Sequence, residues 1–463
     1  MGSDAKSTPF EELLANVLET RFESFDPETL ENTKNRIVDV VGCAIGGTNA
    51  PGNSALIALV KDWGGKEEAT ILIHGKKVPA QNAAMVNSIL ARSFDFEAMS
   101  PLIDGINVPS HIAATTVMTA IAMGEANRIN GKEFITALLV GDDLASRVLA
   151  ASDPGFTLGW DSIGTVNALG ATAIAGRLMS LSQSEMRNAF GLVLNQLAGS
   201  FQSIWDGTTA FKLYQGMSAR NGIFSAELAK AGWTGPRDAL LSKFGYFHLY
   251  TEGCTHPEIL TKELGKKYYA DSTFKPYPCC RATHPAIDCA LAIIRKQQVK
   301  AEDIEEVILY LPRKGLDNFM GQPFRIGDFP QADAIFNYRY NVANALLRRS
   351  VKPEHFFEEF IRDSQVNALI HRVRLAELPG AQKLKCKIEV KMKDGREFSE
   401  ATDAPKGDPI SNPMSKEEII GKFWVNVDFS KTVTRRNAEE LLDLLEKLEE
   451  LDNINKVVRL LVV

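Results

Sequence analysis

The stretch KPYPCCRATHPAID, Lys275 to Asp288, sets a lysine, two adjacent cysteines, an arginine and a histidine among prolines. Pro276 and Pro278 hold the chain extended and discourage helix up to that point. Thr283 is predicted to cap the helix that follows, with Pro285 tolerated in its first turn. The free amides of such a turn carry partial positive charge and attract anions. Lys275 and Arg281 lie on the entering loop and His284 opens the helix. An arginine so placed binds a carboxylate through two parallel hydrogen bonds. The stretch reads either as a carboxylate pocket or as a charged surface turn with a good cap. A metal site is not expected: adjacent cysteine side chains diverge, there is no C-x-x-C, and the seven histidines include no H-x-x-x-H pair.

The texture of the chain changes at this stretch. Before it, residues 1–270 read as an all-helical domain. TLENTKNRIVDVVGCAIGG carries Ile37, Val40, Val41 and Ala44 at helical spacing and stops at Gly46-Gly47. AAMVNSILARSFDF, SHIAATTVMTAIAMGEAN, GKEFITALLVGDDLASRVLAA, GTVNALGATAIAGRLMSL and GMSARNGIFSAELAKAG are further helices, rich in small apolar residues and expected deep in a core. Gly42 and Gly46 fall four apart on one helix, which suits close helix packing. Neither GCAIGG nor DWGGKEEA completes a phosphate-binding loop.

After it, residues 271–405 read as a smaller α+β domain. A helix is predicted from His284 to Lys296, and IEEVILYLP (304–312) as a strand. KCKIEVKMKDGREFSEATD (385–403) alternates around a DG hairpin turn. A helix capped by Ser364 is expected to bury Val366, Leu369, Ile370 and Val373. In the last segment, 406–463, Ser415 and Glu418 form a capping box. The leucine stripe of NAEELLDLLEKLEEL reads as a helix covering the core rather than a coiled coil, because it lasts barely two heptads.

Composition bounds the function. Hydrophobic residues make up 45% of the 463 and charged residues 24%, the balance of a soluble globular protein. The formal charge is 52 − 58 = −6, which does not suggest a nucleic-acid partner. Six scattered cysteines suggest no disulfide framework, so a reducing, cytoplasmic setting is expected. The polar opening MGSDAKSTPF does not read as a secretory signal, and its first eight or so residues are expected to be disordered or extraneous to the fold. No apolar run reaches the roughly 18 residues of a membrane helix.

KPYPCCRATHPAIDCALAI resembles a signature of the MmgE/PrpD family, whose activities include 2-methylcitrate dehydratase, cis-aconitate decarboxylase and iminodisuccinate epimerase. RIVDVVGCAIGG, AAMVNSILARSFDFE, GTVNALGATAIAGRLMSL, SARNGIFSAELAKAGWTGP, YNVANALLRRSV and GDPISNPMSKEE agree in order. The resemblance implies a large helical domain, a smaller α+β lid, a C-terminus returning to the helical part, a homodimer, and no metal or other cofactor. It also implies site residues. Asp95 in SFDFEA matches the family's active-site aspartate, Lys212 its cleft lysine, Lys275 the lysine opening K-x-[YF]-P, and Tyr340 the tyrosine before the VA helix. Cys280 stands where the decarboxylase branch has histidine. The family's His-Pro-Ser becomes Val108-Pro109-Ser110, followed by His111. Its Gly-Trp-His becomes Gly159-Trp160-Asp161.

These reactions share the loss or gain of a proton beside a carboxylate, and the developing charge needs fixed positive partners. Lys212, Lys275 and Arg281 are the candidates, converging on one cavity between two lobes, with Ser110 and His111 as further substrate contacts. Asp161 is the first candidate base and Asp95 the second. His284, Tyr340 or Cys280 would return a proton or assist a leaving hydroxyl. The plainer readings are a helix cap for Asp161, a loop holder for Asp95, an inert thiol for Cys280 and a helix-start hydrogen bond for His284. The expected reaction is dehydration of a small hydroxy di- or tricarboxylate. Epimerisation, decarboxylation and non-catalytic anion binding are the alternatives.

Overall fold

The computed structural model describes residues 7–152, 158–297, 299–381 and 384–462. The expectation for the chain's polar start falls mainly on residues 1–6, outside the described residues. Most of the first 270 residues are helical, as their small apolar faces require. The helices Pro27–Gly47, Ala80–Arg92, Ala113–Asn127, Gly131–Ala150, Ser162–Leu178 and Leu213–Lys230 pack through nearly continuous buried faces. Short strand pairs interrupt them at Ala69–Thr70 with Lys77–Val78 and at Met99–Ile103 with Ile106–Asn107. Two-residue strands leave no alternating pattern to read, and Pro101 argues against strand by propensity.

One of these strands brings distant sequence together. Met99–Ile103 also pairs antiparallel with Asp271–Thr273, in the register Met99↔Thr273 and Pro101↔Asp271. The segment before Met99 and the segment after Thr273 therefore run on side by side. That register carries Asp95 and Glu97 toward Lys275.

Beyond it the α+β part has a four-stranded sheet. Its order is Val373–Glu377, Ile304–Leu311, Cys386–Met392, Glu397–Thr402, with the first two parallel and the rest antiparallel. Cys386, Ile388, Val390 and Met392 are buried, and Gly395 turns the hairpin at φ 86°. The helix His284–Lys296 lies where its pattern placed it. Two caps differ from expectation. Asp363, not Ser364, caps the helix Ser364–Ile370 by accepting from Gln365 N, and Val373 belongs to the parallel strand. Thr283 makes no side-chain cap, because its hydroxyl donates to Cys280 O within a tight turn at Arg281–Thr283.

The helix Lys416–Ser430, opened by the Ser415/Glu418 capping box, packs on Pro27–Gly47. Gly42 and Gly46 make the approach possible: a Cβ at Gly42 would meet Phe423 Cδ2 at 3.1 Å, and one at Gly46 would collide with the Asn426 amide. Arg435–Glu446 buries Ala438, Leu441 and Leu445 against the same core, and a separate turn, Leu448–Glu450, ends the stripe. Among the described residues no helix is long and apolar enough to cross a membrane.

Candidate active site

The site is built on the loop that leaves the helix Ala80–Arg92. Its sequence, RSFDFEA, alternates ring and carboxylate. Phe94 and Phe96 join the apolar core, while Asp95 and Glu97 turn the other way. Asp95 sits in the left-handed region at φ 48°, a conformation that costs a non-glycine residue energy and persists only when its surroundings hold it. Here Lys275 holds it, with Nζ 2.8 Å from Asp95 Oδ1 and donating at 2.6 Å to Asp95 O. Arg92 completes the arrangement. Its Nη1 donates to Asp95 Oδ1 and, at 2.8 Å, to Glu97 Oε1. His111 Nδ1 lies 2.9 Å from both Arg92 Nη1 and Glu97 Oε1. The His111 carbonyl is fixed by Asn167 Nδ2 at 2.7 Å and Gln215 Nε2 at 2.8 Å.

Two cations and two carboxylates thus share a site in which Arg92, Asp95, Glu97 and Lys275 are at most 2% exposed. Burial pushes both carboxyls up, but Arg92 and Lys275 outweigh it and hold Asp95 and Glu97 below the usual range. Burial, reinforced by the Arg92 and Lys275 charges, pushes His111 down to about 4, so its ring is neutral near pH 7. Asp95, Glu97 and His111 offer three ligand-type atoms within 4.8 Å of one another. The Arg92 guanidinium lies among them and Lys275 abuts Asp95, so a metal ion there would meet two like charges. The donor set fits the side-chain cations rather than a metal.

Asp161 caps the helix Ser162–Leu178, its Oδ1 accepting from Ile163 N at 3.0 Å. It is also close enough to Arg92 and Asp95 for their charges to act on it. Burial pushes its carboxyl up, and Oδ2 has no hydrogen-bond partner among the described residues. Both sequence readings of Asp161, cap and acid–base group, are compatible with this place.

Lys212 is buried and donates to Pro51 O at 2.7 Å and Asn53 Oδ1 at 2.8 Å. Asn53 Nδ2 in turn donates to Ser93 Oγ, so Lys212 reaches the Arg92–Asp95 loop through one side chain. Burial pushes its amine down to about 7.

The remaining candidates stand apart. Arg281 donates to Lys406 O at 2.5 Å and Pro405 O at 3.3 Å, which straps the helix start to the 405–406 loop. His284 Nε2 lies 3.1 Å from Cys279 O and is fully buried, held there as a helix-start hydrogen bond. Tyr340 donates to His355 O and packs between Phe324 and Phe356, inside the α+β core. Ser110 donates to Asp271 Oδ1 at 3.3 Å; Asp271 also accepts from Ile112 N and Ala113 N at the head of a helix. Cys280 is nearer the cluster, feeling the Asp95 and Lys275 charges, but burial pushes its thiol up to about 12 and its sulfur rests 3.4 Å from Met320 Sδ.

The expected convergence of three cations on one cavity therefore needs correction. Each of Lys212, Lys275 and Arg281 is buried against protein acceptors, and only Lys275 contacts Asp95. A cavity of about 300 Å³, lined by Trp205, Gly207, Phe319, Arg325, Asp333 and Phe336 among others, contains none of the three. It connects to the cluster through rings: Phe336 packs on Phe211 at 5.3 Å, and the Arg92 guanidinium stands 5.8 Å from the Phe211 centroid. Arg92 and Glu97 were not anticipated from sequence. Their signal was three charges at 92, 95 and 97 among small and apolar residues.

The sequence profile of the MmgE/PrpD N-terminal domain matches residues 11–258, and that of the MmgE/PrpD C-terminal domain matches residues 277–449. Mouse cis-aconitate decarboxylase is 25% identical over 452 residues, covering 93% of this chain and 89% of the relative. The human cis-aconitate decarboxylase is 24% identical, covering 93% and 90%. An Aspergillus terreus cis-aconitate decarboxylase is 22% identical, covering 99% and 97%. With both domain profiles matched in order across most of its length, the chain belongs to the MmgE/PrpD family.

Proposed function

We propose that this protein is a metal-independent lyase that eliminates water from a small hydroxy di- or tricarboxylate. The observation that carries the proposal is Asp161: a buried carboxyl, pushed toward its protonated form, with one oxygen unpartnered among the described residues and a fixed cation, Arg92, nearby. Such a group donates a proton to a leaving hydroxyl. Lys212, its amine lowered to about 7 by burial, is the complementary base. In this scheme Lys212 takes the proton from the carbon next to a carboxylate. The C–H electron pair forms the C=C bond, and the hydroxyl leaves as water with the Asp161 proton. Lys275 and Arg92 supply positive charge where the carboxylate gains electron density. The new ammonium and the Asp161 carboxylate then exchange their proton through solvent, restoring both.

Decarboxylation is the second reading, favoured by the activity that the relatives' names carry. Against it, Cys280 replaces the branch's histidine, and a thiol near 12 is a poor proton donor at neutral pH. Incubation with methylcitrate, citrate and cis-aconitate distinguishes the two. Rising ultraviolet absorbance of an unsaturated acid without carbon dioxide supports dehydration. Carbon dioxide release from cis-aconitate replaces it with decarboxylation. Deuterium wash-in without net conversion points to an epimerase, and thermal stabilisation without turnover to a binding protein. A homodimer and a cytoplasmic setting belong to the same proposal, the first checked by light scattering.

A further inference from the structure

We propose that Lys422 and Asp39 are a positioning pair through which the helix Lys416–Ser430 fixes the loop that carries Asp95 and Glu97. The inference rests on the proposed lyase reading, in which Arg92 and Lys275 of the Arg92–Asp95–Glu97–His111–Lys275 cluster supply the fixed positive charge, and it concerns residues that do not touch that cluster's side chains.

Lys422 Nζ forms a 2.6 Å ion pair with Asp39 Oδ1, and both residues are buried. The remaining valences of the pair go to one loop. Lys422 Nζ donates to Phe96 O and stands 4.1 Å from the Phe96 ring centroid. Asp39 Oδ2 accepts from Ala98 N at 2.7 Å. The Phe96 carbonyl and the Ala98 amide bracket Glu97, so the pair grips that residue's backbone from both sides. Glu97 in turn sets Arg92 and His111 through its own carboxylate. The same helix holds the loop a second time, through Phe429, whose ring meets Phe94 edge-on at 5.5 Å.

This arrangement explains a costly choice. A buried ion pair is often no better than apolar packing for stability alone. What it offers here is directional: an acceptor for one backbone amide and a donor for one backbone carbonyl, two residues apart. Apolar side chains would fill the volume and leave both groups unpaired. Two aromatic anchors and two polar anchors make the 94–98 backbone rigid where Asp95 holds an unfavourable φ. Charges that stabilise a reaction by fixed position need that rigidity.

The test is the double variant Asp39→Asn/Lys422→Met. It removes both charges together, keeps an acceptor for Ala98 N, and deletes the donor to Phe96 O. Hydrogen exchange of the 93–99 peptide, read by mass spectrometry, is expected to quicken roughly ten-fold while other helical peptides hold. With a substrate from the panel above, kcat is expected to fall roughly ten-fold with KM changed less than about three-fold. Lys422→Arg, which restores a donor, is expected to recover much of both. A folded double variant with wild-type exchange at 93–99, or with wild-type kcat, overturns the proposal. If the wild type turns over no substrate, the lyase reading fails while the exchange result still decides the positioning role. If the double variant does not fold, Phe429→Leu tests the same loop without touching a charge. Unchanged 93–99 exchange in that variant would also count against the grip of this helix.

Discussion

Replacing Lys275 with methionine leaves Asp95 buried at 1% exposure with one cation, Arg92, that it must share with Glu97. At 2.8 Å and an effective dielectric of about 20, the lost attraction is about 6 kcal/mol, part of which is offset because an ammonium no longer has to be buried. Breaking a buried pair from one side costs about 3–5 kcal/mol, and the Asp95 carbonyl also loses its donor. We therefore expect Lys275→Met to destabilise by about 4 kcal/mol. Asp95→Asn/Lys275→Met should recover about 2 kcal/mol or more of that, as coupling in a double-mutant cycle. Urea unfolding followed by tryptophan fluorescence and by circular dichroism measures it, with coincident transitions required before free energies are assigned. The pH dependence has a definite sign. In the wild type the Asp95 carboxyl is held below its ordinary value, so its contribution is fully present above an unfolded pKa of about 3.9 and is lost as pH falls through the lower folded value. Without Lys275, burial meets less opposition and the folded value rises. Acid destabilisation should then begin at higher pH. Additive single-variant effects, with coupling under about 0.5 kcal/mol, or an unmoved acid midpoint, would refute the ion pair as described.

Burial lowers Lys212 to about 7, well under an unfolded value of about 10.4, so the unfolded chain binds the extra proton between those limits and stability rises with pH there. Lys212→Met should flatten that rise, worth on the order of a few kcal/mol, and abolish turnover while the protein stays folded. Asp161→Asn keeps a helix cap and should change stability by less than about 1 kcal/mol, but it removes the proposed proton donor and should cut the rate more than Asp161→His does; the reverse order would refute Asp161 as the acid. Dialysis against a chelator should leave the rate within about two-fold, because Arg92 already stands among Asp95, Glu97 and His111; a rate restored only by added metal would overturn that assignment.

Helical periodicity placed the large helices, and the alternation around Asp394-Gly395 placed the hairpin, because each pattern extends over several repeats. Gly42 and Gly46 announced close packing, and Phe423 and Asn426 supply its other side. The partners of the charged residues were not legible in the same way. Nothing local in KPYPCC says that Lys275 meets Asp95, since the meeting depends on the Met99↔Thr273 register, a pairing 273 − 99 = 174 residues apart in sequence. Arg281 illustrates the opposite failure. Its place beside a helix start suited an anion, yet the 405–406 loop supplies carbonyl acceptors that sequence spacing could not reveal. Tyr340 followed family position into a core contact with His355, where its hydroxyl is already engaged.

The electrostatics of the site follow from one condition, burial, acting on groups of opposite sign. In water a lysine and an aspartate differ by about 6.5 pKa units, so each is charged at pH 7 and neither is poised to accept or donate in the direction catalysis needs. Burial lowers Lys212 and raises Asp161. The two environments narrow the gap from both ends: burial favours the free amine of Lys212 and the protonated carboxyl of Asp161. The neighbouring cluster acts on Asp161 through two opposed charges, Arg92 lowering it and Asp95 raising it, and burial remains the largest cause. A balanced cluster exerts little net pull on a distant base, yet it presents strong local fields to an atom placed against Arg92 or Lys275. In the proposed reaction, fixed local charge beside an acid and a base whose ordinary charges burial opposes is what favours proton transfer next to a carboxylate.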